Sequence, residues 1–169
     1  MRKILAVVVC CLGVSACGTL TYTPSEYPLR EGVIRPLQVA GTVDITNAQP
    51  STDRVIVYSY AGSKLGSNLK AITDVMMRQA QRELQKNATV KDTAARKSIS
   101  LKVTSLLSEY IAFFWKSNIE FQATLGDGQV LQFKVPHTSG VLLQDLNGCI
   151  AEGVMTLLND ERLRTYLAS

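Results

Sequence analysis

Between Lys116 and Leu125 the chain alternates strictly. Ser117, Ile119, Phe121, Ala123 and Leu125 are apolar or small, and Lys116, Asn118, Glu120, Gln122 and Thr124 separate them. A period of two puts the first set on one face of a strand and the second on the other. Gly126-Asp127-Gly128 follows, and glycines accept the positive φ that hairpin turns demand. Leu131, Phe133 and Val135 resume the alternation, and Pro136 stops it. The hairpin therefore has one apolar face that other elements must cover.

The flanking segments supply that cover. Leu37, Val39, Gly41, Val43 and Ile45 alternate with polar or small residues and predict a first strand. Asn47 to Asp53 is turn-rich, and Arg54–Tyr60 is β-branched and aromatic, a second short strand. Ala61-Gly62-Ser63-Lys64-Leu65-Gly66-Ser67 breaks the pattern, and Ser67 can cap a helix reaching about Asn87. Leu69, Ile72, Val75, Met76, Ala80 and Leu84 line one face of it, a stripe that reads as core packing. Ile99, Leu101 and Val103 make another strand. Ser139 or Gly140 opens a second helix, with Leu142, Leu146, Ile150, Val154 and Leu157 at helical spacing. Gly148 and Gly153 lie inside it at about 1 kcal/mol each relative to alanine, which close helix–sheet contact would compensate. Asn159-Asp160 can end that helix and cap a short one over Glu161–Leu167. The expected fold class is α/β: a two-layer sandwich in β(β)αβββα order. It has a mainly antiparallel sheet of four or five strands with two helices packed on one face.

The formal net charge is +4, and two of the cations, Arg2 and Lys3, stand at the N-terminus. No concentrated basic stripe of the kind nucleic-acid binders carry is visible, so no nucleic-acid partner is expected. Of four cysteines, only Cys149 lies beyond residue 17. The folded part therefore has no pair from which to form an intramolecular disulfide.

Arg2 and Lys3 precede an apolar run, Ile4 to Leu12, far shorter than the roughly 20 residues needed to cross a bilayer. Val14-Ser15-Ala16-Cys17 ends it. This arrangement resembles the signal peptide and lipobox of bacterial lipoproteins. The resemblance implies cleavage after residue 16 and a diacylglycerol on the Cys17 thiol, with palmitate among the acyl groups. One acyl chain holds a protein only marginally, at about 0.8 kcal/mol per buried methylene, whereas several make attachment permanent. Gly18 follows the cysteine. In a Gram-negative source the resemblance implies passage to the outer membrane, with the domain facing the periplasm. The expected division is a cleaved signal over 1–16, a lipidated tether with Pro24, Pro28 and Pro36 over 17–36, and one α/β domain over 37–169.

Reactive chemistry is sparse. His137 is the single histidine, with only Asp127 and Asp145 near it in sequence, so no metal site is expected. No serine stands in a nucleophile-elbow context. Gly62-Ser63-Lys64-Leu65-Gly66-Ser67 does not match the phosphate-loop pattern. No catalytic residue and no cofactor is implied. Cys149 reads as a small buried apolar residue. One surface stands out. Tyr110-Ile111-Ala112-Phe113-Phe114-Trp115 concentrates aromatics without alternation. It is either a strand covered on both faces or a protruding corner that meets lipid or a partner. In the second case Tyr110, Phe113, Phe114 and Trp115 are the contacts.

The lipobox, the proline-containing tether, the strand Gly41-Thr42-Val43-Asp44-Ile45, the amphipathic helix, the Leu101-x-Val103 strand and the closing helix together resemble the YajG-type uncharacterised outer-membrane lipoproteins. That resemblance implies a periplasm-facing α/β domain and no assigned activity. The expected function is non-enzymatic: a membrane-anchored envelope lipoprotein that binds or positions a partner protein. The alternative is a lipid- or glycan-binding module in outer-membrane biogenesis, similar to lipopolysaccharide-assembly lipoproteins.

Overall fold

A computed structural model describes residues 18–169. The expected signal segment 1–16 and the acylation residue Cys17 lie outside the described residues. Seven strands and three helices follow one another: β1 (Thr19–Thr21), β2 (Leu37–Asn47), β3 (Arg54–Tyr60), β4 (Ser63–Asn68), α1 (Leu69–Asn87), β5 (Ala88–Ile111), β6 (Phe114–Leu125), β7 (Val130–Ser139), α2 (Leu142–Asn159) and α3 (Glu161–Ala168). The seven strands form one mixed sheet in the order β1-β4-β3-β5-β6-β7, with β2 paired to β5 as well.

This overturns the expected fold class of a mainly antiparallel sheet with four or five strands and two helices in β(β)αβββα order. Three strand pairs are parallel (β1 with β4, β2 with β5, β3 with β5), and the short helix expected over Glu161–Leu167 is present as a third helix that the two-helix order leaves out. The added strands have physical causes. Ala61 and Gly62 both take positive φ, 47° and 83°, which is the backbone of a two-residue hairpin turn. That turn folds the Ser63–Asn68 segment, expected to be irregular, back onto β3 as β4. Its pairing depends on backbone groups, which a poor strand composition does not remove. Thr19–Thr21 then adds to the outer edge of β4.

The centre of the sheet is β5. Residues 88–101 pair with β2, and residues 99–111 pair with β6 on the other side. Farther along the β2 side, Tyr58 of β3 pairs with Ser108. Opposite Gly41 the β5 chain bulges between Lys91 and Arg96. Gly41 takes φ +73°, and a Cβ there would lie 1.9 Å from the Ala95 carbonyl oxygen. No other residue fits that bulge without backbone movement.

The apolar sides of β5, β6 and β7 meet α1 and α2 in successive cross-strand rows: Leu101, Ala123 and Leu131, then Val103, Phe121 and Phe133, then Leu106, Ile119 and Val135. Gly153 of α2 sits on this surface. A Cβ there would be 3.3 Å from both Met76 and Phe121, which accounts for a glycine inside the helix. Asn68, not Ser67, caps α1, accepting from the Ala71 amide at 2.7 Å. Val141 stands at the N-cap of α2, where no side chain of the described residues caps the helix, and Ser139 belongs to β7. Pro136 does not end β7, because this is an edge strand and one side of it needs no ladder hydrogen bonds.

The segment read as a tether is, from residue 18 on, seated on the domain. The Tyr22 amide donates to the Gly66 carbonyl at 2.8 Å, and its hydroxyl donates to Asn147 Oδ1 at 2.6 Å. The Gln79 side-chain amide donates to the Tyr27 carbonyl, Glu26 lies between Arg78 and Arg82, and Ile34 is buried. Among the described residues no helix is long and apolar enough to cross a membrane.

Candidate functional site

The aromatic run forms the tip of the β5–β6 hairpin. Tyr110 pairs with Trp115 and Ile111 with Phe114, leaving Ala112 and Phe113 as the turn. Because side chains alternate across a strand, the run divides between the two faces. Tyr110 and Trp115 point to the helix side, where their rings lie 5.2 Å apart, and the Tyr60 ring of β3 packs at a tilt against Tyr110 at 5.1 Å. Ile111 and Phe114 point to the open face. Phe113, at the apex, is 89% exposed, and Phe114 is 40% exposed. Trp115 is half-buried, and its Nε1 is buried without a hydrogen-bond partner among the described residues. The run is thus a hairpin tip and not a strand covered on both faces: Phe113 and Phe114 are exposed, while Tyr110 and Trp115 are half-buried.

The turn is strained. Ala112 has φ 32° and Phe113 φ 88°. Such a turn favours Asn-Gly, since a Cβ is disfavoured at positive φ. A hydrogen bond from the Phe113 amide to the Tyr110 hydroxyl, 3.2 Å, partly holds it.

Behind the aromatic row lies a polar row that the sequence reading missed. Ser108, Ser117 and His137 are cross-strand neighbours on the helix side of β5, β6 and β7. Asp145 of α2 covers them and is fully buried. The Ser108 hydroxyl donates to Asp145 Oδ2 at 2.9 Å, and the Ser117 hydroxyl donates to the same oxygen. Asp145 Oδ1 accepts no hydrogen bond among the described residues and lies 3.9 Å from His137 Nδ1. His137 reaches this position because residue 148 is glycine: a Cβ there would come 2.2 Å from His137 Nε2. A faint signal existed, since Asp145 falls beside Leu142, Leu146 and Cys149 on the apolar stripe of α2.

This Ser, His and Asp set is not arranged as a nucleophilic triad. There the serine proton goes to the imidazole and the carboxylate orients the imidazole. Here both serines are buried and donate to the carboxylate itself. Cys149 is buried, and its thiol is pushed up well beyond its usual range by burial and then by the nearby Asp145. A protonated buried thiol is a poor nucleophile. Burial likewise pushes the Tyr22 phenol up. Among the described residues no three His, Cys, Asp or Glu side chains converge as a metal would require. Gly62-Ser63-Lys64-Leu65-Gly66-Ser67 forms the β3–β4 turn and most of β4. Asp127 lies in the β6–β7 turn, remote along the sheet from the aromatic tip.

No family model and no curated protein matches the chain. Among solved structures, the 1.65 Å structure of hypothetical protein CT253 from Chlamydia trachomatis is similar over 77% of this chain and 98% of that one. Sequence identity is 6% and the TM-score 0.40.

Proposed function

We propose that this chain is a non-enzymatic envelope lipoprotein, held to a membrane by acyl groups on Cys17 and displaying its α/β domain on the periplasmic side to a partner protein. One observation carries the proposal. The sequence turns from lipobox to fold without a gap: β1 begins at Thr19, next but one to Cys17. A cut before Cys17 would remove the leader and leave every described element intact. Gly18, in a Gram-negative source, favours the outer membrane. The buried Ser108–Ser117–Asp145 group supports the non-enzymatic part, because neither hydroxyl is poised for attack. A lipid- or glycan-binding role is the second reading, favoured by the exposed aromatic tip.

The test is metabolic labelling with palmitate followed by membrane fractionation. The wild type should take up label and sediment with membranes, and Cys17→Ala should do neither. An unlabelled wild type, or a Cys17→Ala product that still sediments, would overturn the anchoring.

A further inference from the structure

The two hairpin turns β3–β4 and β5–β6 lie at the same end of the sheet, because β3 runs parallel to β5 and the Tyr60 and Tyr110 rings meet at 5.1 Å. The described chain also begins there. Thr19 pairs in parallel register with Lys64, one residue past the first residue of β4, so Gly18 stands beside the Ala61-Gly62 turn. From β1 through β4 and β3 to β5 there are three strand spacings, which sets the start of the described chain about 15 Å from the β5–β6 hairpin.

We propose that this end of the domain is a membrane-contact surface. The Phe113 tip dips into the interfacial zone of the bilayer that holds the Cys17 acyl chains. The inference rests on the anchoring proposed above, and it replaces an unspecified contact with a lipid surface. Exposed apolar side chains ring the end: Tyr60, Ile111, Phe113 and Phe114 from the strands, with Val141 and Leu143 where α2 begins after Ser139, the partner of Trp115. An aromatic and aliphatic rim of this kind suits the headgroup–acyl boundary. No carboxylate lies between Tyr110 and Lys116 at the tip, Glu109 faces Lys116 one pair behind it, and Lys64 at the neighbouring turn adds a second exposed cation where lipid phosphates would be. The opposite end carries Asp127 in its turn with Glu161 and Arg162 close by, a polar surface suited to water. The strained Ala112-Phe113 turn fits the same reading. An Asn-Gly pair would make the turn more easily, but it would remove the most exposed aromatic of the molecule.

The experiment uses full-length acylated protein in vesicles of phosphatidylethanolamine and phosphatidylglycerol. Nitroxides are attached through Phe113→Cys or, at the opposite end, Asp127→Cys; buried Cys149 stays unlabelled. The spin label at position 113 should be accessible to oxygen and shielded from a water-soluble nickel chelate, and that at 127 should show the reverse. Without any substitution, Trp115 emission should fall in vesicles carrying acyl chains brominated near the headgroup. Equal chelate access at 113 and 127 with unquenched Trp115, on protein whose Cys17 carries lipid, overturns the inference and leaves the anchoring standing. Immersion of position 113 by a chain without lipid on Cys17 supports the tip and sinks the anchoring. If an unacylated chain leaves position 113 in water, both fail.

Discussion

The two hairpins of the β5–β6–β7 meander turn at opposite ends of the sheet and solve the same problem differently. At the β6–β7 turn the residues match the backbone. Gly128 takes φ 87°, Asp127 Oδ1 accepts from the Gln129 amide at 2.9 Å, and the Gly126 amide donates to the Tyr166 hydroxyl of α3. At the β5–β6 turn Ala112 and Phe113 hold positive φ with no glycine, and Phe113 stands in solvent. The layers behind the two turns differ as well. Toward the β6–β7 turn the rows are apolar: Ile99, Leu101, Ala123, Leu125 and Leu131. Toward the β5–β6 turn a buried carboxylate and two hydroxyls replace them. One end is built for stability, and the other accepts strain and buried polarity to hold an aromatic tip in place.

Removing the carboxylate is the strongest test of that contrast. Asp145→Ala leaves the Ser108 and Ser117 hydroxyls buried without an acceptor, and each orphaned group costs about 1–3 kcal/mol. The expected loss is about 3 kcal/mol, read as a lower urea midpoint. An unchanged midpoint would mean that the polar row does not hold the tip end together.

A smaller effect should come from Gly148. Alanine there gains about 1 kcal/mol of helix propensity, but its Cβ meets the His137 ring, and overpacking costs about 1–3 kcal/mol. Gly148→Ala alone should destabilise by about 1 kcal/mol. In a His137→Ala background the same substitution should stabilise. A double-mutant cycle measures the difference, and additivity would show that the two residues do not meet.

The β6–β7 hairpin was readable because its signals agree: alternation, glycines and β-branched or aromatic content all point one way. The stripes of α1 and α2 were readable for the same reason. β4 was not, since Ser63-Lys64-Leu65-Gly66-Ser67 offers no alternating apolar face. Its partner β3 and the Ala61-Gly62 turn define it instead. The parallel pairings were hidden too, because a strand's own pattern says nothing about which neighbour it takes. Within the candidate site, the four aromatics were picked out by composition, but their exposure was not. Tyr60 joins Tyr110 and Trp115 only through the β3–β5 pairing, and the buried row needed cross-strand register to bring Ser108, Ser117 and His137 side by side.

A change of similar small size, and of opposite sign, is the most discriminating. Replacing Ala112 with Asn and Phe113 with Gly gives the β5–β6 turn the chemistry its backbone favours. Relief of two positive-φ residues should stabilise the soluble domain by about 1 kcal/mol, observed as a higher urea midpoint with an unchanged slope. The same double variant removes the exposed ring, so Trp115 quenching by brominated lipid should weaken although the acyl anchor is untouched. Stability and membrane contact should therefore move in opposite directions at this one turn. At the β6–β7 turn, where residues and backbone already agree, Gly128→Ala should reduce stability and leave lipid quenching unchanged. If the Asn-Gly variant is no more stable than the wild type, the Ala112-Phe113 turn carries no strain, and the contrast between the two hairpins loses its physical basis.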